Sequence, residues 1–447
     1  MKFSIRNSFI LFVIGAYLIL NWGFMLIRLT PVSSGGVPIG EILLCFSFCI
    51  LYKDIRWLPS FTNNLIFVVF LMWWSLGIGR ALYAYPEYGM WALRDASHVI
   101  ESLFLWVGFV FAAAPGAIDR FFVWLRKVLG IASLYALTFP WDNELKLLSP
   151  TITAAAGYTS TIFFNYSGVG QLLLWEAGRR FIEDAKGILV PSLLIIYTIG
   201  IFQARTLYLQ LIAIVLMLLW YRRKAFGKMS LALGVGLIAL ILFVGSGIEV
   251  KGRNGQNVSI EYIANHFKAI AGVKNPGVMD AAAGVDQRVG WWKDIVFERL
   301  PKSTESLLFG MGYGFPLVDF KGPDGEIVRE PHNSYVSILA RMGLVGLLFF
   351  ISGHLLLVHS WWNTFKLCHQ KSYKIGQDRL FILMVYFVMI WIFSMGEAAF
   401  EAPYLTIPYY FFWGVFLHYR LQLKQMLAND EVFPHEKALR ESALCAS

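Results

Sequence analysis

Residues 331–346 read PHNSYVSILARMGLVG and hold the histidine with the clearest chemical setting in the chain. His332 opens an apolar stretch, with Gly343 eleven residues on and Gly346 fourteen on. A neutral imidazole can take a proton from a hydroxyl nucleophile, an effect worth roughly 10²–10⁴ in rate. Two arginines are candidates to work beside it: Arg205 in FQARTLYLQ and Arg288 in DQRVGWWKD. A guanidinium fork matches phosphate oxygens two at a time and stays charged at any working pH. A histidine with two such forks combines a base with stabilisation of an anionic leaving group, a task other enzymes give to a divalent metal. No Asp-x-Asp and no dense carboxylate cluster lies near these residues, so no metal is expected. Each residue also has a plainer reading. His332 could be a helix-start turn capped by Asn333 or Ser334, with two packing glycines. Arg205 could snorkel from a helix end, and Arg288 could lie on a solvated helix face.

The elements that must position these side chains are membrane helices. The chain has 447 residues, of which 57% are apolar and only 15% charged, and its mean hydropathy is +0.59. Soluble domains carry about a quarter charged residues. Here the charges sit between long apolar runs, which in lipid must satisfy their own backbone as helices. Runs near 8–28, 37–52, 62–79, 91–113, 120–139, 162–178, 187–203, 206–221, 229–248, 334–360, 378–395 and 403–418 predict about twelve spans. The first is too long for a signal-peptide core and lacks a clear cleavage site, so it reads as a span. With the N-terminus inside, the short inner connections hold twenty Lys/Arg. The short outer ones hold five, namely Arg28, Arg80, Arg94, Lys146 and Arg205. This asymmetry places both termini in the cytoplasm and leaves the few outer cations to be explained.

One connection differs from the rest. Residues 249–333, between spans nine and ten, form a long polar outer loop with ten Lys/Arg and eleven Asp/Glu. It is near neutral, so the formal charge of +9 belongs to the cytoplasmic edge and does not indicate a nucleic-acid partner. The partner it does indicate is membrane lipid. The organisation expected is 1–248 as spans one to nine, 249–333 as the loop, 334–420 as spans ten to twelve, and 421–447 as a polar, mobile cytoplasmic tail. Within the loop, VSIEYIANHFKAIAGV and DQRVGWWKDIVFERL both read as helical. In the second, Asp286 can cap the start, and Arg288, Trp292 and Ile295 share a face. GMGYGF, at 310–315, is a glycine turn. Cys45, Cys49, Cys368 and Cys445 form neither a disulfide framework nor a zinc spacing.

If span ten begins near His332, then Val336, Leu339, Gly343 and Gly346 share the histidine's face, since eleven steps of about 100° return to within about 20° of the start. The glycines would then admit a neighbouring helix. Other ionisable residues fall inside spans. Arg94, His98 and Glu101 share one face of span four, either pairing with one another or with Arg94 reaching phosphate. Arg341 lies about 10 Å along span ten and must pair or line a wet cavity. Glu41 is similar. Trp291 and Trp292 could stack on sugar rings or pack the loop helix onto the bundle. Glu330 is a further candidate, as an orienting partner for His332.

His-Asn, nine residues, Gly, two residues, Gly resembles the signature of the O-antigen ligase and polysaccharide polymerase superfamily. The family's histidine closes a long periplasmic loop and opens the next membrane helix. The resemblance covers spans seven to twelve closely and spans one to six only in layout. It implies an all-α inner-membrane protein whose donor is a glycan on undecaprenyl pyrophosphate. The acceptor would be lipid A–core in a ligase, or a second lipid-linked glycan in a polymerase of O-antigen or exopolysaccharide. It implies that His332 is the base, that Arg205 and Arg288 hold the pyrophosphate, and that no cofactor is needed. Around these three, Asn333, Arg94, Trp292, Arg341, Glu397 and Glu401 are expected at the substrate. The two glutamates lie in the last outer loop, where the family often has an acidic residue. A protein O-oligosaccharyltransferase is a third relative, but the chain lacks a large extra C-terminal domain. A ligase is the favoured expectation. The rival from another class is a polytopic transporter or flippase. The placement of the long loop after span nine, rather than span six, and the absence of an internal repeat count against it. A membrane scaffold would have no use for His332 and the outer arginines.

Overall fold

The computed structural model describes residues 5–25, 27–29, 37–52, 65–138, 151–154, 157–160, 166–183, 187, 189–202, 204–245, 261, 264–265, 268, 273, 276–321 and 328–428. Apart from two short antiparallel ribbons, Arg28–Leu29 with Val37–Pro38 and Thr151–Ala154 with Gly157–Ser160, its regular structure is helical. In chain order the principal helices are α1 (Ile5–Leu20), α2 (Ile39–Leu51), α3 (Leu65–Tyr88), α4 (Met90–Asp95) and α5 (Ser97–Ala112). Then follow α6 (Ala117–Ala136), α7 (Tyr166–Glu183), α8 (Leu189–Phe202), α9 (Arg205–Tyr221) and α10 (Arg223–Gly245). The last are α11 (Pro276–Lys293), α12 (Thr304–Phe309), α13 (Ser334–Gln370), α14 (Lys374–Ser394) and α15 (Pro403–Ala428).

The described part of each apolar run read from the sequence is mainly helical. Among the described residues, α3, α13 and α14 are long and apolar enough to cross a membrane by length and composition, and six shorter helices are also apolar. This is the architecture of a membrane protein. Helix α15 runs through its centre, with nearly every side chain from Pro403 to Tyr419 buried. It crosses α5 at closest approach where two glycines meet the opposite backbone. A Cβ on Gly108 would strike Phe411, and one on Gly414 would strike the Leu105 carbonyl. Small residues at such a crossing let backbones touch, which is the main source of packing between helices in lipid. The α15 helix continues to Ala428, so residues 421–428 extend it. Positions 429–447 lie outside the described residues.

Three local expectations need correction. The run at 91–113 is not one helix. It breaks at Ala96 (φ −88°, ψ 7°), and the rotation this introduces removes the shared face of Arg94, His98 and Glu101. Arg94 stacks over Trp91 at 4.6 Å, while His98 lies 3.4 Å from the Tyr313 hydroxyl. Helix α11 begins ten residues before Asp286, so that residue is inside the helix and caps nothing. Most of VSIEYIANHFKAIAGV lies outside the described residues.

The third correction concerns α13. Its 37 residues would span about 55 Å as a straight rod, well beyond a bilayer's ~30 Å core. It is interrupted at Gly343, whose φ of 66° and ψ of −168° are not helical. The interruption ends the 100° register, so His332 and the two glycines do not share a face. It also strips the carbonyls of Ala340 and Arg341 of their normal partners four residues on. The glycine turn supplies replacements. Met311 N donates to Ala340 O at 2.7 Å and Gly312 N to Arg341 O at 3.2 Å. Gly310, Gly312 and Gly314 all have positive φ, the conformation that lets this turn follow the kink. What Gly343 admits is therefore this turn and the end of α12, since a Cβ there would strike Gly310 and Leu308. Gly346 packs on Met342 of its own helix.

Candidate functional site

Before the kink, the first turns of α13 stand in the polar loop's own small core. Val336, Leu339 and Ala340 pack with Ile295, Leu300, Leu317 and Val318. This core fixes the direction in which the helix start points. Asn333 is the N-cap. Its Oδ1 accepts from Tyr335 N at 3.0 Å and Val336 N at 3.1 Å, and its Nδ2 donates to Met395 O at 3.1 Å. Both polar atoms of Asn333 are thus engaged by the protein. These contacts give it a part in holding the start of α13.

His332 precedes the cap and is left-handed, with φ 52°. Non-glycine residues pay for that conformation and adopt it where surrounding contacts impose it. Here the contacts are on the ring. Nδ1 lies 3.0 Å from Glu397 Oε2, and the Trp291 ring stacks nearby at 6.2 Å between centroids. A carboxylate on Nδ1 fixes the tautomer that carries its proton there and leaves Nε2 as the acceptor. The imidazole side chain is 34% exposed, so a ligand can reach it.

Glu397 also joins Arg288 to the site. Arg288 Nη1 donates to Gly396 O at 2.6 Å and Nη2 approaches Glu397 Oε1 at 3.4 Å. One carboxylate therefore touches the histidine with one oxygen and the loop arginine with the other. Trp292, one turn beyond Arg288, donates from Nε1 to Pro331 O at 2.8 Å, and Ile295 is fully buried. The face predicted for this helix is the one that docks. Arg205, at the first position of α9, approaches the same turn through its neighbour: a Cβ on Gly396 would lie 3.4 Å from the Thr206 methyl. Below it, Gln210 donates to Met389 O at 2.8 Å, clamping α9 to α14. The geometry brings His332, Arg288, Glu397, Trp291 and Trp292 together and sets the start of α9 beside them.

A second, deeper layer carries the remaining charged residues. Asp95 accepts from Arg329 through both carboxylate oxygens (3.2 and 2.8 Å), from Arg341 at 3.0 Å and from Gly314 N at 3.0 Å. Arg341 also binds Glu330 Oε1 at 3.0 Å and the Phe315 carbonyl at 2.8 Å, and Ser337 donates to Glu330 Oε2 at 2.9 Å. Arg341 is 1% exposed, so it pairs within the protein and lines no accessible surface. Glu330 is committed to Arg341 and Ser337, and the residue that orients His332 is Glu397. Burial raises the Glu330 carboxyl, with Arg341 opposing. Glu401 accepts from the Ser334 hydroxyl at 2.5 Å. Burial, reinforced by the charge of Glu330, pushes its carboxyl up to about 8. Glu401 thus braces the start of α13 from beneath. Arg94 stays one layer away on Trp91, which Arg329 also covers at 4.0 Å.

The sequence reading missed two parts of this arrangement. Arg329 attracted no attention, although it stands next to Glu330 and three residues before His332. The pairing of Glu397 with His332 joins positions 65 apart, and no local pattern signals it. The hint was that His332 opens α13 and Glu397 follows the end of α14, so both were expected on the outer side, where the resemblance implied an acidic residue.

The fold and site define a membrane protein with a histidine, arginine and carboxylate cluster at one end of its helical bundle. Residues 190–351 match the family model described as O-antigen ligase. The match takes in Arg205, Arg288, His332, Gly343 and Gly346 and stops before Glu397. No curated protein matches the chain.

Proposed function

We propose that this protein transfers a glycan from undecaprenyl pyrophosphate to an acceptor hydroxyl at the periplasmic face of a bacterial inner membrane. In this reading it has about twelve spans with both termini in the cytoplasm, and residues 249–333 lie in the periplasm. The match of residues 190–351 to the O-antigen ligase family model supports glycan ligase or polymerase activity on lipid-linked glycans. The observation that carries the mechanism is the shared carboxylate of Glu397, in contact with both His332 and Arg288.

The acceptor hydroxyl gives its proton to Nε2 of His332, while Glu397 holds Nδ1–H and steadies the imidazolium that forms. The acceptor oxygen attacks the anomeric carbon from the face opposite the carrier. The bond from that carbon to the pyrophosphate oxygen breaks with inversion. The departing pyrophosphate takes the electron pair, and Arg288 and Arg205 meet its charge, each such donor being worth a few kcal/mol. The Arg288 contact with Glu397 is long, so a pyrophosphate with its higher charge can draw the guanidinium across. Trp291 and Trp292 border the same opening and offer faces to sugar rings. The donor is already activated, so the reaction calls on no nucleotide and no divalent cation.

The acceptor we favour is lipid A–core, which makes the protein an O-antigen ligase. The test is transfer by purified protein in chelator, from an undecaprenyl-pyrophosphate oligosaccharide to lipid A–core or to more donor. Product on lipid A–core that disappears with His332→Ala supports the ligase. Longer chains on the carrier lipid assign a polymerase with the same mechanism. Absence of product from folded protein with both acceptors would overturn the reading and favour a transporter.

A further inference from the structure

A second cationic site lies away from His332, and it involves Arg80, one of the few cations the charge pattern places on the outer side. We propose that the cleft between α3 and residues 299–311 binds the phosphate of a lipid headgroup, in the leaflet at the His332 end of the bundle. The cleft has a volume of about 460 Å³ and is lined by Arg80, Tyr83, Arg299, Lys302, Glu305 and Met311, among others. That size suits a headgroup. Three lining cations face the carboxylate of Glu305, and Arg299 Nη1 also lies 3.9 Å from Asp294 Oδ2 outside the cleft.

Two of the cations are held in place by backbone. Arg80 Nη2 donates to Gly310 O at 2.9 Å, and Arg299 Nη1 donates to Leu317 O at 2.5 Å. Each bond uses one of the five N–H donors of a guanidinium, and the Nε of Arg80 is buried without a hydrogen-bond partner. Guanidiniums fixed in this way lose little freedom when they take up a phosphate. Lys302 is exposed at the mouth and adds a mobile charge.

The rim distinguishes a lipid from a dissolved anion. Leu82 and Tyr83 on α3 are 60% and 89% exposed, and Leu308 and Phe309 on α12 are 37% and 39% exposed. Helix α3 is among those able to cross a membrane, so its exposed apolar side chains face acyl chains. A free phosphate would gain only the cations, whereas a phospholipid or phosphorylated glycolipid gains both surfaces. The site is separate from the transfer centre. Arg299 is eleven residues beyond Arg288 along a helical segment, about 16 Å at 1.5 Å per residue.

The experiment measures lipid retention by the full chain, purified and placed in nanodiscs of phosphatidylcholine alone, with added phosphatidylglycerol, or with added diphosphorylated lipid A. Native mass spectrometry counts the lipids that stay bound. We expect wild-type protein to retain phosphate-bearing lipid beyond the neutral background, and Lys302→Glu to weaken retention about tenfold, a change of ~1.4 kcal/mol. Arg299→Gln should also weaken it. His332→Ala should retain lipid like wild type, which keeps this result apart from success or failure of the transfer mechanism. Retention of both anionic lipids marks a general phosphodiester site, and retention of lipid A alone marks a site for a phosphorylated glycolipid acceptor. Equal retention by Lys302→Glu and wild type, with both folded, would overturn the proposal. So would displacement of the lipids by a few millimolar inorganic phosphate.

Discussion

His332 occupies a backbone conformation that only its surroundings justify, and the chief of these is Glu397, 3.0 Å from Nδ1. The pair defines two substitutions with different outcomes. His332→Ala removes the base, and transfer should fall by roughly 10²–10⁴ with donor binding retained. Glu397→Gln keeps the shape but donates where the carboxylate accepted, so the ring can adopt the other tautomer. Loss of the carboxylate that fixes a base histidine's tautomer can cost up to about 10⁴-fold, here expected in kcat and not in KM for the acceptor. Initial rates over a range of acceptor concentrations separate the two parameters. An unchanged kcat for Glu397→Gln would show that the contact is structural. Glu401 differs in kind. It keeps its proton in the folded protein up to about 8 but releases it near 4.5 when unfolded. Between those values the folded state binds more protons, so this group's contribution makes stability fall as pH rises from about 4.5 to 8. Glu401→Gln should flatten the melting temperature across that window. A mutant that still loses stability as steeply as wild type would exclude Glu401 as the cause.

At the level of elements, the kink in α13 is the device that joins membrane helix to loop. The helix gives up hydrogen bonds at Gly343, and the glycine turn at 310–315 makes them good. Gly343→Ala meets two penalties: a backbone region (φ 66°, ψ −168°) that costs about 1–3 kcal/mol for residues with a Cβ, and a Cβ with no room against Gly310 and Leu308. We expect a loss of at least about 2 kcal/mol, read as a lowered melting temperature in detergent and earlier proteolysis between 299 and 333. An alanine variant with wild-type melting would mean the kink is not needed. The same logic explains why helical counting failed here. The count presumes one continuous register, and the chain contains a break whose reason lies in a distant turn.

Across the whole molecule, Asp95 is the tie between bundle and loop. It belongs to α4, and its partners Arg329 and Arg341 belong to the end of the loop and the start of α13. Removing one partner of a buried ion-pair network costs about 3–5 kcal/mol, because it leaves uncompensated charge. Asp95→Ala should therefore loosen the docking of the loop and lower transfer, though Asp95 lies a layer below His332. Hydrogen exchange at 311–317 and 328–342 would detect the loosening. Exchange unchanged from wild type would show that the small loop core around Ile295 and Leu317 holds the loop unaided.

The apolar runs, the charge asymmetry and the His-Asn-Gly-Gly spacing are local properties, and they alone pointed to a helical membrane protein, to a resemblance that the match over residues 190–351 agrees with, and to His332, Arg288 and Arg205 as candidates. Helix positions were legible because the need to satisfy the backbone in lipid leaves one solution for each apolar run. What only the tertiary structure decided was which charges meet. Glu397 rather than Glu330 reaches His332, Arg341 pairs in the interior, and Asn333 caps a helix. These choices depend on a break at Ala96, a break at Gly343 and the docking of α11 on the turn at 396. Each of them rotates or displaces side chains by contacts between residues far apart in the chain, and helical periodicity holds no record of such contacts.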